Sequence, residues 1–200
     1  MKKIFIAVLA AAAMVLGTNA NAQLSVGAGF QMQNYKAKIG GTQTMNPMGL
    51  YVGLDYTIPF AGNFAVTPGL YYGIGKTDKA TMKNGGATLT VKDMDVTAHD
   101  LMVPVYVSYN HEFGFGKGFV YAGPSLGYNI DTKSKGDSIY DDGIDFSHFN
   151  IGIGLGLGCT FAEHYRLSAG YNFGLLNRYK GDGDFTIKNN FLNVGFNYIF

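Results

Sequence analysis

Phe149-Asn-Ile-Gly-Ile-Gly-Leu-Gly-Leu-Gly-Cys-Thr-Phe161 alternates without a break. Phe149, Ile151, Ile153, Leu155, Leu157, Cys159 and Phe161 hold one parity, while Asn150, Gly152, Gly154, Gly156, Gly158 and Thr160 hold the other. Side chains of a strand point to opposite faces with period two. The stretch is therefore a strand with one apolar face and one face of nearly bare backbone. A soluble strand sets charge opposite its apolar face, and this one carries none. What solvent the apolar face meets depends on whether the rest of the chain repeats the pattern.

Seven further stretches do. They are Leu24 to Gln33, Met48 to Ile58, Phe64 to Gly75, Asp100 to Tyr109, Phe119 to Ile130, Tyr165 to Leu176 and Phe191 to Phe200. Each is close to the roughly 9–11 residues of a tilted membrane strand. In the second, Leu50, Val52, Leu54 and Tyr56 oppose Gly49, Tyr51, Gly53, Asp55 and Thr57; in the last, Leu192, Val194, Phe196, Tyr198 and Phe200 oppose Asn193, Gly195 and Asn197. The connections alternate in length. Residues 34–47, 76–99, 131–148 and 177–190 are long and polar, whereas 59–63, 110–118 and 162–164 are short. Long loops at one end and tight turns at the other suit a membrane barrel. Residues 88–95, inside the second long loop, predict that strands three and four extend beyond the bilayer as a hairpin.

The charges choose the solvent. No apolar face carries a charged residue within these spans, and the opposite faces carry only Asp55, Asp100 and Arg166. A soluble eight-stranded carrier would show water an outer face of Gly, Asn, Ser and Tyr, which is a poor soluble surface. With the apolar faces in lipid and the polar faces in the lumen, a closed barrel pairs every backbone group. The aromatics agree: Tyr56, Phe64, Tyr109, Phe161, Tyr165, Tyr198 and Phe200 gather at the short-turn end, and Phe30, Tyr72, Tyr128, Phe149 and Phe173 at the long-loop end. They form two girdles. Pro68, Pro104 and Pro124 each remove a ladder donor inside a strand, which predicts local bulges. Eight strands leave an interior just wide enough for side chains to fill. Inward Tyr51, Tyr71, Tyr106 and Tyr121 need the space that inward glycines leave, so a plugged or narrow lumen is expected. Asp55 and Arg166 share the periplasmic end and are expected to pair.

Composition supports an exported membrane protein. Of 200 residues, 14% are charged, against roughly 25% in soluble domains. Residues 1–22 have the form of a signal peptide: Lys2 and Lys3, an apolar run from Ile4 to Leu16, and Ala20-Asn-Ala22, with cleavage expected between Ala22 and Gln23. The barrel domain is then residues 23–200. Loss of the two lysines lowers the formal charge of +1 by two, so nothing argues for nucleic acid. Cys159 stands alone, which leaves no internal disulfide.

Leu101-Met-Val-Pro-Val105, Ala122-Gly-Pro-Ser-Leu-Gly127 and the ending Phe196-Asn-Tyr-Ile-Phe200 resemble motifs of the small Gram-negative outer-membrane β-barrel proteins, the PorT-like barrels and the barrel domains of OmpA and OmpX type. The resemblance covers residues 23–200 and implies an all-β, eight-stranded antiparallel up-and-down transmembrane barrel in the outer membrane. It also implies that Phe196, Tyr198 and Phe200 form the terminal signal read by the barrel-assembly machinery. Members differ widely in role, so the fold does not carry the function.

No residue pattern points to chemistry. The glycines of 152–158 lie within a strand and not between strand and helix, as a nucleotide loop requires. His99, His111, His148 and His164 lack metal-ligand spacing. Ser147 with His148, and His164 with Ser168, are the nearest candidates for a lipid-hydrolase pair. The acidic runs at 141–145 and 181–184 do not match a calcium loop. Lys188, on the lipid parity at the outer rim, is placed to meet lipopolysaccharide phosphates. The reading is a non-enzymatic barrel without cofactor, metal or catalytic residues, surrounded by outer-membrane lipid, with a structural or surface-recognition role carried by four long loops. A small-solute pore, a membrane lipid enzyme and a soluble periplasmic carrier are the alternatives.

Overall fold

The computed structural model describes residues 22–38, 41–114, 116–138, 147–180 and 186–200. The targeting segment up to residue 21 and both acidic runs lie outside them. Twelve strands follow in order: β1 (Gln23–Lys38), β2 (Thr42–Met45), β3 (Met48–Ala61), β4 (Phe64–Thr77), β5 (Ala80–Asn84), β6 (Ala87–Val91), β7 (Val96–Phe113), β8 (Gly116–Ser134), β9 (Asp137–Ser138), β10 (Phe149–Phe161), β11 (Tyr165–Gly174) and β12 (Thr186–Ile199).

Eight of them close a ring. The order is β1, β3, β4, β7, β8, β10, β11, β12, and β12 pairs back onto β1 from Ser25↔Ile199 to Lys38↔Thr186. Every neighbouring pair is antiparallel. The backbone NH of Phe200 donates to the Leu24 carbonyl at 2.9 Å, fastening the two ends of the barrel domain together. Closure matters because an unpaired backbone group in lipid costs several kcal/mol, on the order of the water-to-hydrocarbon transfer of an amide.

The two parities separate as the alternation predicts. Leu50 is 65% exposed and Leu157 62%, on the outer wall, while Tyr51 at 9% and Asp55 at 7% face inward. Outward rings meet at both rims. Phe64 and Tyr109 lie 5.2 Å apart, and Tyr165 is 5.8 Å from Tyr198, at the short-turn end. At the other end Tyr128 packs on Phe149 at 5.0 Å and Tyr171 on Phe173 at 4.7 Å.

Two expectations change. The prolines do not make bulges. Pro68 interrupts only the β3–β4 ladder, Pro104 only β4–β7 and Pro124 only β7–β8, and each ladder resumes in the same register beyond the gap. A proline lacks one donor, so it breaks one ladder and keeps the other. The register shifts lie elsewhere, between Pro59 and Ala61 and between His99 and Asp100. Second, residues 88–95 do not extend strands three and four. Those strands lengthen through Thr77 and Val96, while β5 and β6 form a separate hairpin whose β5 pairs with β2 of the first loop. Gly85 and Gly86, with φ of 54° and 89°, turn that hairpin, as a two-residue turn with positive φ demands.

Candidate functional site

The lumen is the site that eight inward faces build together. Its middle is a layer of tyrosines. Tyr51 and Tyr71 meet edge to face with centroids 5.6 Å apart, and Tyr106 and Tyr121 lie 4.8 Å apart. Glycines one or two strands along the wall receive them. A Cβ on Gly154 would strike the Tyr106 ring, one on Gly156 or Gly170 the Tyr121 ring, and one on Gly195 the Tyr51 hydroxyl. Phe119 takes the space over Gly158 in the same way. β10 thus has bare glycines because rings from β7 and β8 lie on them.

Below the tyrosines sits Asp55. Tyr71 donates its hydroxyl proton to Asp55 Oδ1, and Asn197 Nδ2 donates to Oδ2 at 2.8 Å. The expected ion pair with Arg166 does not form. Arg166 donates from Nη1 to Thr57 Oγ1 at 3.2 Å, and its guanidinium lies over the Phe119 ring, 5.5 Å from the centroid. Neutral donors surround the carboxylate closely enough to leave the longer guanidinium to the ring and the threonine.

Above the tyrosines sits Asp100. Gln33 Nε2 donates to its Oδ2 at 2.6 Å and Asn129 Nδ2 to its Oδ1 at 2.8 Å, while Thr132 Oγ1 donates to Asn129 Oδ1 at 2.9 Å. Arg178, only 5% exposed, folds in from the last loop. Its Nε donates to the Ser147 carbonyl at 2.9 Å, and its guanidinium lies over the Tyr35 ring. The third and fourth long loops are thereby tied to each other at the barrel mouth. Sequence reasoning missed Arg178, because a loop has no parity to mark an inward residue. Gln33 and Asn129 do lie on the inward parity, and a search for amides beside Asp100 would have found them.

Among the described residues, two small cavities flank the tyrosines. One, of about 50 Å³, touches Gln31, Tyr51, Tyr71, Asp100, Tyr106 and Tyr121; the other, of about 60 Å³, touches Asp55, Tyr71, Tyr106, Phe119, Tyr121 and Arg166. A water needs roughly 10–15 Å³ of such space. Each cavity therefore takes a few waters and no sugar-sized solute, and Tyr71, Tyr106 and Tyr121 stand between them.

The histidine candidates are engaged at the rims. His148 Nδ1 lies 2.8 Å from the Asn129 carbonyl, with Ser147 Oγ turned to the Phe149 backbone. His164 Nδ1 lies 2.8 Å from the Ile199 carbonyl and its ring stacks on Tyr198. His99 Nδ1 shares a hydrogen bond with the Tyr72 hydroxyl at 2.7 Å.

With the closed ring, the aromatic rims and the polar lumen in place, comparison with known proteins is decisive at the level of family. Residues 16–179 match the outer membrane protein beta-barrel domain family. The chain belongs to that family. As a member it is an outer-membrane protein whose strands span the bilayer. Solved structures similar to this outer-membrane barrel include Neisserial surface protein A, at 16% identity and a TM-score of 0.55, over 90% of this chain and 99% of that one. The attachment invasion locus protein Ail of Yersinia pestis, solved with the heparin analogue sucrose octasulfate, matches at 15% identity and a TM-score of 0.52, over 90% and 99%. OprG from Pseudomonas aeruginosa matches at 15% identity and a TM-score of 0.51, over 90% and 96%. At these identities the likeness is one of fold. Among curated proteins no sequence match is found.

Proposed function

We propose that this outer-membrane barrel is non-enzymatic, has a closed lumen, and acts at the cell surface through its long loops as a structural or recognition element. The observation that carries the reading is the tyrosine layer seated on glycines of nearby strands, flanked by two water-sized cavities. The loops supply the other half. The first two are built into one sheet through β2 and β5, the third adds β9 to β8, and Arg178 ties the third to the fourth. A rigid scaffold that presents ordered loops is a common way to carry recognition.

Planar-bilayer recording tests the closed lumen. The purified protein is expected to give no discrete, stable openings, and the Tyr106→Ala/Tyr121→Ala variant is expected to give them. Stable openings by the unmodified protein would favour a small-solute pore instead. A change in cellular lipid profile on joint substitution of His148 and His164 would point to a lipid enzyme.

The chain end belongs to the same proposal, as the signal read by the barrel-assembly machinery. Phe200 is 68% exposed beyond the last strand, while Tyr198 and Phe196 line the same outer face. Phe200→Ala is expected to cut the amount assembled in cells several-fold while refolding in detergent stays unchanged. Loss in both settings would mean that Phe200 serves stability and not assembly.

A further inference from the structure

Beyond the lipid-facing part of the barrel, one sheet runs on through β12, β1, β2, β5 and β6. Its register sets residues directly opposite one another in rows. One row reads Lys188, Lys36, Thr44, Thr81 and Thr90. The next reads Thr186, Lys38, Thr42, Lys83 and Thr88. Residues directly opposed across a ladder share a face, and the two rows lie two residues apart, so both occupy the same face. That face carries ammonium groups and hydroxyls, with no carboxylate and no apolar side chain. The reverse face is uncharged along β1 and β2, with Tyr35, Ala37, Gln43 and Met45.

This face continues the outer wall. Lys36 keeps the parity of Phe30 and Met32, and Lys188 keeps that of Val194 and Leu192. At about 3.3 Å per residue and a strand tilt of about 45°, Lys36 stands roughly 9 Å further along the membrane normal than Met32. Counted from Leu24 on the same parity, Lys36 lies roughly 28 Å along that normal, just past the roughly 25 Å apolar band of a membrane barrel. Lys36 and Lys188 are themselves directly opposed, and like charges so placed destabilise a ladder. Among the described residues, the ion pairs join Lys79 to Asp78, Lys117 to Glu112 and Lys133 to Asp131, and none involves the four lysines of this face. All four are exposed. No carboxylate of the described residues pairs with these ammonium groups.

We propose that this face binds the phosphate groups of outer-leaflet lipid. Ammonium groups act as point charges for phosphate oxygens, and threonine hydroxyls add donors between them. The lipid source follows from position: the face is continuous with the wall that acyl chains cover, so a phosphate borne on a lipid reaches it at the correct height. An anion held between Lys36 and Lys188 turns an unfavourable pair into a favourable one.

The test compares thermal unfolding, read from the heat-modified gel shift, in phosphatidylcholine vesicles with and without lipid A. Lipid A is expected to raise the midpoint of the unmodified protein by several degrees. In Lys36→Gln/Lys188→Gln most of that rise is expected to disappear, while in phosphatidylcholine alone this variant unfolds no lower than the unmodified protein, because a repulsion has been removed. Lys36→Arg/Lys188→Arg is expected to keep the rise. If the glutamine variant does not refold, Lys38→Gln/Lys83→Gln from the second row serves the same comparison. A full rise in the glutamine variant would overturn the proposal. So would an equal rise produced in phosphatidylcholine by dissolved inorganic phosphate or sucrose octasulfate, since the face would then bind soluble anions.

Discussion

Asp55→Ala is expected to lower the stability of the refolded barrel by roughly 2–6 kcal/mol, the cost of leaving two buried donors without their acceptor. Asp55 is 7% exposed and accepts from both Tyr71 and Asn197. Without it, the Tyr71 hydroxyl and the Asn197 amide face a void, and the guanidinium of Arg166 remains inside with only Thr57 and the Phe119 ring. Each orphaned buried donor carries a desolvation cost of about 1–3 kcal/mol. Asp55→Asn keeps an acceptor for Tyr71 and is expected to lose much less. The chain contains no tryptophan, so far-UV circular dichroism against urea in lipid vesicles is the suitable measurement. A midpoint for Asp55→Ala equal to that of the unmodified protein would show that water replaces the carboxylate at no cost.

Gly156→Leu is expected to abolish or severely reduce barrel formation. A Cβ at this position would meet both the Tyr121 ring and the Ala169 carbonyl oxygen. The ring has little room to move, because the tilted Tyr106 ring lies 4.8 Å away and Phe119 6.2 Å away. Overpacking of a filled interior costs about 1–3 kcal/mol, and more where backbone must shift. Gly154→Leu meets only the Tyr106 side chain at its nearest approach and is expected to be milder. Ile153→Leu changes a residue that is 49% exposed on the outer wall, and its yield is expected to be unchanged. Combining Gly156→Leu with Tyr121→Ala is expected to recover part of the yield, since the ring that the leucine strikes is gone. Equal yields of folded protein from Gly156→Leu and Ile153→Leu would refute the docking of rings on glycines.

How far the sequence reaches differs from strand to strand. The boundaries of Phe149–Phe161 agree with β10 at both ends, because its alternation is unbroken and its flanks are polar. At the long-loop end the prediction falls short: β1 runs on to Lys38, β8 to Ser134, and β7 begins at Val96. There the pairing continues into water, where alternation of apolar with polar residues is no longer required, so hydropathy stops marking a strand that hydrogen bonding still maintains. The same blindness covers β2, β5, β6 and β9: β2 and β5 are joined by a ladder between two different loops, and β6 and β9 fold back as local hairpins in polar sequence.

Sequence alone determined which side chains face lipid and which face the lumen, because side-chain parity is a local property of an extended backbone and the bilayer tolerates no charge on its side. It therefore determined the eight spanning strands, the two aromatic rims and the inward placement of Asp55, Asp100 and Arg166. Only the tertiary structure decided what each inward or rim residue meets: Tyr71 and Asn197 for Asp55 instead of Arg166, Gln33 and Asn129 for Asp100, Tyr121 for Gly156, Lys188 for Lys36. Those meetings depend on strand register around a closed ring and on side chains crossing its interior. Both are fixed by all eight strands together and by no stretch of the chain on its own.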